Sequence, residues 1–161
     1  MHKAIMVMGV SGAGKSTIAA GLASALGGVF LDGDDYHPKG NVDHMAAGYP
    51  LTDDMRWPWL DQLAAAVNAS RQDQITVFAC SALKRSYRDY LRAAVPDLQI
   101  AYLDAPYEVV SARLSVRQNH YMPTSLLDSQ FAALEIPATP DACVSIDQPV
   151  PDIIGALVSV L

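Results

Sequence analysis

The residues Gly9, Val10, Ser11, Gly12, Ala13, Gly14, Lys15 and Ser16 match the pattern G-x-x-x-x-G-K-[ST]. They follow a short apolar run at 5–8 and open a helix-length amphipathic stretch at 15–26. That placement between a strand and a helix is the context in which the pattern carries meaning. Glycines let backbone N–H groups converge on phosphate oxygens, and a helix N-terminus adds partial positive charge. The run through Thr17 therefore reads as a cradle for a nucleoside triphosphate. Lys15 is expected to reach the β- and γ-phosphates, and the Ser16 hydroxyl to ligate Mg²⁺. A glycine-rich turn without a ligand would have no use for Lys-Ser at this place.

The rest of the chain repeats the same rhythm. Short segments rich in Val, Ile or aromatics at 5–8, 29–31, 75–79, 100–103 and 144–146 alternate with helical patterns at 15–26, 55–70, 84–94, 106–116, 124–134 and 151–160. This predicts βαβ units around a parallel sheet of about five strands, covered on both faces. The fold class is an α/β, P-loop NTPase-type three-layer sandwich, expected as a single domain over residues 1–161. Two stretches break the alternation: a polar segment at 34–54, with a helical piece over about 41–48, and a short one at 117–123. Such segments sit where ligands bind, at the carboxyl ends of strands. They are expected to form a substrate-covering segment over about 35–54 and a lid over about 117–124.

Composition narrows the partners. Seventeen acidic residues against eleven basic ones give a net charge of −6, which argues against a protein that holds nucleic acid through its phosphates. No apolar run is long enough to span a bilayer. The N-terminus enters its first strand without the features of a signal peptide, so a cytoplasmic setting is expected. The two cysteines, Cys80 and Cys143, form no CxxC pair, and Cys80 reads as a small buried residue.

Asp32 and Asp34 stand just beyond the second strand, and residues two apart share a side. One carboxylate can hold Mg²⁺ through water while the other accepts a proton from an attacking hydroxyl. Asp32 is assigned to the metal and Asp34 to the hydroxyl, with the exchange of roles left open. His37 can hydrogen-bond a substrate hydroxyl or cap the loop. No Asn-Lys-x-Asp motif for reading guanine is present.

Together these residues resemble the gluconate kinases. The resemblance rests on Asp32, Gly33, Asp34, His37 and Pro38, and on Asn41, Met45 and Gly48. It continues through the blocks at 50–54 and 80–89, Arg56, the Pro-Trp-Leu at 58–60, and His120 to Pro123 with the helix that follows. It covers nearly the whole chain. Met55, Trp57 and Ala13 depart from what members often carry, without removing a group of obvious chemical role. The resemblance implies ATP-dependent phosphorylation of D-gluconate to 6-phosphogluconate by a small cytoplasmic enzyme, usually a homodimer.

A sugar acid presents a carboxylate and several hydroxyls, so its site should offer cations at one end. Eight of the eleven basic residues lie between Arg56 and Arg117. Arg56 can clamp a carboxylate or phosphate, or instead pair with Asp53 and Asp54 at the surface. Lys84, expected to open a helix, and with it Arg85, are read as contacting the gluconate carboxylate or a nearby hydroxyl. Arg88 and Arg92 read as a solvated helix face. Arg113 and Arg117 lie one helical turn apart and are expected at the nucleotide, with Arg117 in the lid neutralising the transferring phosphoryl group. Gln130 has an amide suited to sugar hydroxyls, or is a core-facing polar residue. Two rivals remain in view: the same chemistry on another small acid such as shikimate, and a nucleotide-dependent switch without turnover.

Overall fold

The central strands bury side chains on both faces, which demands helices on both sides of the sheet. In the computed structural model, which describes residues 1–116 and 124–161, strand β1 (Ala4–Met8) is buried throughout. Ile5 and Val7 join one apolar cluster, while Ala4, Met6 and Met8 join the other. The same division recurs in β3 (Thr76–Ala79) and β4 (Gln99–Asp104): Val77, Ala101 and Leu103 face one way, Phe78, Ile100 and Tyr102 the other. With β2 (Val29–Asp32) and β5 (Ala142–Ser145) they form a sheet of order β2-β3-β1-β4-β5, and every pairing is parallel.

One face is covered by α1 (Lys15–Ala25), α5 (Tyr107–Val116), α6 (Thr124–Ala133) and α7 (Val150–Val160), through Ile18, Leu22, Val110, Leu127, Ile153 and Leu157. The other is covered by α3 (Asp53–Ser70) and α4 (Arg85–Ala94), through Trp59, Leu60, Leu63, Tyr87 and Leu91. At the edge, β5 buries Ala142 and Val144 but leaves Cys143 and Ser145 exposed. The three-layer α/β sandwich read from the sequence is the fold.

The polar segment after β2 is more regular than its sequence suggests. A 3-10 turn over Gly33–Tyr36 leads into α2 (Lys39–Ala46), which starts two residues before the expected helical piece. Helix α3 also starts earlier than the apolar pattern implied, because the Thr52 side chain caps it by accepting from the Met55 N–H at 3.3 Å. Asp53 and Asp54 then lie in the first turn, where carboxylates suit the helix dipole. Pro58 consequently falls in the second turn rather than the first, and the helix forgoes the bond that would reach the Asp54 carbonyl.

Topology places the site. The chain leaves β1 towards α1 on one face, and leaves the neighbouring β3 towards α4 on the other. Adjacent parallel strands whose exits diverge open a crevice at their carboxyl ends. The loop at 9–14 and the loop at 80–84 flank that crevice, and the end of β2 lies beside β3.

Candidate active site

The glycine loop is shaped for close backbone approach. Gly14 caps α1 in the left-handed region at φ 91°, a conformation that side chains resist. The Lys15 ammonium curls over the same loop and donates to the Val10 carbonyl at 2.9 Å. Burial lowers its pKa, while Asp34, Cys80 and Asp32 pull it the other way. Gln130 reaches this loop from α6: its Oε1 accepts from the Ser11 N–H at 2.6 Å, and its Nε2 donates to the Ser11 hydroxyl at 2.8 Å. Both ends of the amide are thus engaged by the phosphate cradle.

The two carboxylates at the end of β2, Asp32 as its last residue and Asp34 in the 3-10 turn that follows, have different surroundings. Asp32 Oδ2 accepts from the Ser16 hydroxyl at 3.3 Å, and its Oδ1 accepts from the Asp34 N–H at 3.0 Å. Asp34 instead projects an 85% exposed side chain, with His37 Nε2 3.8 Å from its Oδ1. Gly33, between them, is a close-approach position: a Cβ there would stand 2.3 Å from the Ala79 carbonyl oxygen. The absence of a side chain there lets the end of β2 lie this close to β3. The Gly33 carbonyl in turn accepts from the buried Trp59 indole N–H at 2.8 Å. His37 stacks on the Trp59 ring, and burial, with Arg56 nearby, pushes its pKa down to about 4, so the imidazole is neutral at physiological pH.

Cations gather on the α3–α4 side. Arg56 lies over the Tyr87 ring, 4.9 Å from its centroid, and donates weakly to the Leu51 carbonyl at 3.4 Å. Its Nε is buried and finds no partner among the described residues. The surface pairing of Arg56 with its neighbouring aspartates is not what forms. Asp53 is held by the Tyr87 hydroxyl and by Lys84 at 3.1 Å, and these bonds lower its pKa. Lys84 occupies the N-cap position of α4 without a side-chain capping bond, and its side chain remains 38% exposed.

Arg85 is turned elsewhere. Its side chain is 81% exposed, pairs with Asp89 at 3.6 Å, and lines a cavity of about 350 Å³ along α4 with Arg92 and Glu135. The structure does not bring it to the carboxylates.

Arg88 is the residue the sequence reading missed. It is not on a solvated face but only 4% exposed, with Nη1 donating to the Ala82 and Leu83 carbonyls at 2.9 Å each and Nη2 to the Glu135 carbonyl at 2.7 Å. These bonds hold the loop after β3 in place, including Ala82 at φ 42°, a left-handed conformation that is costly for alanine. Arg88→Met removes three charge-assisted bonds to backbone carbonyls and should destabilise the fold by about 3 kcal/mol. Urea unfolding checks this; a midpoint equal to that of the parent chain would show that the guanidinium is dispensable.

On the other side of the glycine loop, Ala13, Gly14, Thr17, Arg113, Gln148 and Val150 line a cavity of about 220 Å³. Arg113 is fixed there by donating to the Ile146 carbonyl at 3.1 Å. Arg117, His120 and nearly all of the expected lid lie outside the described residues. Among the described residues no cluster of three or more His, Cys, Asp or Glu side chains could hold a metal. A hydroxyl and a carboxylate facing each other, as Ser16 and Asp32 do, instead suit a cation that takes most of its ligands from phosphate and water.

Comparison with known proteins agrees with this geometry. The family model described as an AAA domain matches residues 5–137. The thermoresistant gluconokinase of Escherichia coli K12 is 40% identical over 164 residues, covering 99% of this chain and 94% of its own length. The crystal structure of a gluconokinase from Sinorhizobium meliloti 1021 superposes with a TM-score of 0.88 at 42% identity, over 98% of this chain and 90% of that one. The APS kinase CysC of Mycobacterium tuberculosis, solved in complex with AMPPNP and APS, reaches a TM-score of 0.74 at 18% identity, over 99% of this chain and 96% of that one. At that identity it shares the fold alone.

Proposed function

The chain belongs to the gluconokinase family, and we propose that its crevice joins the γ-phosphoryl group of ATP to the primary hydroxyl of D-gluconate through the residues described above. It is a kinase that transfers phosphate to a hydroxyl group, and it phosphorylates gluconate at the expense of ATP. The observation that carries the site reading is the division of labour between Asp32, tied to Ser16, and Asp34, projecting beyond it.

The glycine loop and the α1 N-terminus bind the triphosphate through backbone N–H groups. Arg113 and the cavity beside it receive the rest of the nucleotide. Ser16 and, through water, Asp32 would hold Mg²⁺. When bound, Mg²⁺ neutralises charge on the phosphoryl oxygens. Lys15 moves from the Val10 carbonyl to the β- and γ-phosphates, exchanging a neutral partner for a charged one. Asp34 accepts a hydrogen bond from the primary hydroxyl, orients its oxygen in line with the γ-phosphate, and takes its proton as the new P–O bond forms and the bond from the γ-phosphorus to the β,γ-bridging oxygen breaks, releasing ADP. Arg56, with an unpartnered Nε, supplies the clamp for the gluconate carboxylate, and Lys84 adds positive charge beside it. The segment over about 35–54 covers the acceptor. The family likeness also supports a cytoplasmic homodimer.

ADP release with Mg·ATP, measured with D-gluconate, shikimate and other sugar acids side by side, tests the reading. Gluconate alone should stimulate strongly. Stimulation by a different acid would move the substrate assignment. ATP binding with no stimulation by any acid would make the protein a nucleotide-dependent switch.

A further inference from the structure

His37 presents a defined hydrogen-bonding edge to Asp34, and a residue outside the usual catalytic set defines it. The imidazole lies on the Trp59 ring with 3.9 Å between centroids and 20° between planes, and its side chain is only 4% exposed. Behind it sits Asn41, itself buried. The Asn41 Nδ2 is 2.9 Å from the Met55 carbonyl and 3.2 Å from His37 Nδ1. A carbonyl oxygen only accepts, so the Met55 contact requires the NH₂ end of the amide at this position. One hydrogen serves Met55 and the other points at Nδ1, which must then be the bare, accepting nitrogen. In a neutral imidazole the remaining proton is on Nε2.

That nitrogen is the one 3.8 Å from Asp34 Oδ1. The separation is too long for a direct hydrogen bond. It does admit an oxygen atom within reach of both groups. A hydroxyl placed there accepts from Nε2–H through a lone pair and donates its own proton to the carboxylate. The opposite tautomer would face the same hydroxyl with two acceptors and only one proton to share.

We propose that Asn41 is a positioning residue that sets the Nε2–H tautomer of His37, and that His37 and Asp34 then act as a donor–acceptor pair selecting and orienting the acceptor hydroxyl. This deepens the kinase reading and rests on it for the identity of the hydroxyl. Trp59 contributes by stacking the ring and by tying its own indole to the Gly33 carbonyl, so that the ring and the end of β2 move together.

The test has two arms on the full chain. Long-range ¹H–¹⁵N NMR of protein labelled at histidine should show His37 as the Nε2–H tautomer, and in Asn41→Asp the signal should move to a protonated Nδ1, because a carboxylate accepts where the amide donated. A wild-type Nδ1–H tautomer would overturn the inference whatever acid the enzyme phosphorylates, since this arm needs no acceptor. In the kinetic arm, Asn41→Ala should lower kcat/KM for the acceptor by about tenfold, the scale of one lost hydrogen bond, with KM for ATP unchanged. The loss should vanish when Asn41→Ala is made in a His37→Gln background, because a glutamine amide offers its donor without a tautomer to set. An equal loss in both backgrounds, or a matching rise in KM for ATP, would reduce Asn41 to a packing residue and overturn the proposal. If Asn41→Ala does not fold, Asn41→Ser takes its place in both backgrounds with the same criteria.

Discussion

Lys15→Met should lower kcat by about 10²–10³-fold while leaving the thermal midpoint of the ligand-free protein close to that of the parent. The rate effect has the size seen when one preorganised donor to a charged transition state is removed. The ammonium is held where burial lowers its pKa and where two carboxylates, Asp34 and Asp32, supply opposing charge. Without nucleotide its hydrogen bond is to a single neutral carbonyl, Val10, so methionine forfeits little folding energy. In the transition state the same group faces phosphoryl oxygens that gain charge in a poorly hydrated place, where a Coulomb interaction is strongest. Single-turnover kinetics at saturating ATP checks the rate, and calorimetric titration with ATP checks binding. Lys15→Arg should not restore the rate, since a planar guanidinium does not fit a position built for a compact ammonium. A kcat within tenfold of the parent would remove Lys15 from the chemistry.

Asp34→Asn is expected to reduce kcat by about 10²–10⁴-fold, the range for loss of a general base. The low end is expected, because a loose phosphoryl-transfer transition state asks more of positioning than of proton removal. Asn still offers an oxygen to orient the hydroxyl, so KM for gluconate should change less than kcat. The matched control is Asp32→Asn. Asp32 is bound to Ser16 and to the Asp34 N–H, so its loss should raise the Mg²⁺ concentration needed for half-maximal rate, whereas Asp34→Asn should leave that requirement unchanged. Kinetics across a Mg²⁺ titration for the two variants decides between the assignments. If Asp34→Asn were the variant that needed more Mg²⁺, the roles of the two aspartates would be exchanged.

Legibility followed the range of the interactions involved. The glycine loop and the Asp32–Asp34 pair are local in sequence, and the backbone rules that give them meaning act over a few residues. Arg88 was misread for the same reason: its spacing to Arg92 speaks only of the helix, whereas its burial comes from the carbonyls of Ala82, Leu83 and Glu135. The engagement of Gln130 by Ser11, 119 residues away, has no local signature at all. Arg56 lies over the Tyr87 ring, and its neighbouring aspartate is held by Tyr87 and Lys84 instead. Thr52 does carry a local signal: a capping residue ahead of two acidic ones announces a helix start.

By itself the sequence determined the parallel α/β sheet, the phosphate cradle and the two carboxylates at the end of the second strand, because strand periodicity, glycine's conformational freedom and strand-end spacing all act locally. Tertiary structure alone decided that β3 lies between β2 and β1, which opens the crevice between the diverging exits of β1 and β3. It also decided which of many polar side chains face that crevice and which, like Arg88 and Gln130, brace the loops around it. Those outcomes depend on which buried donors and acceptors meet across the fold, and buried polar groups must find partners wherever the chain brings them.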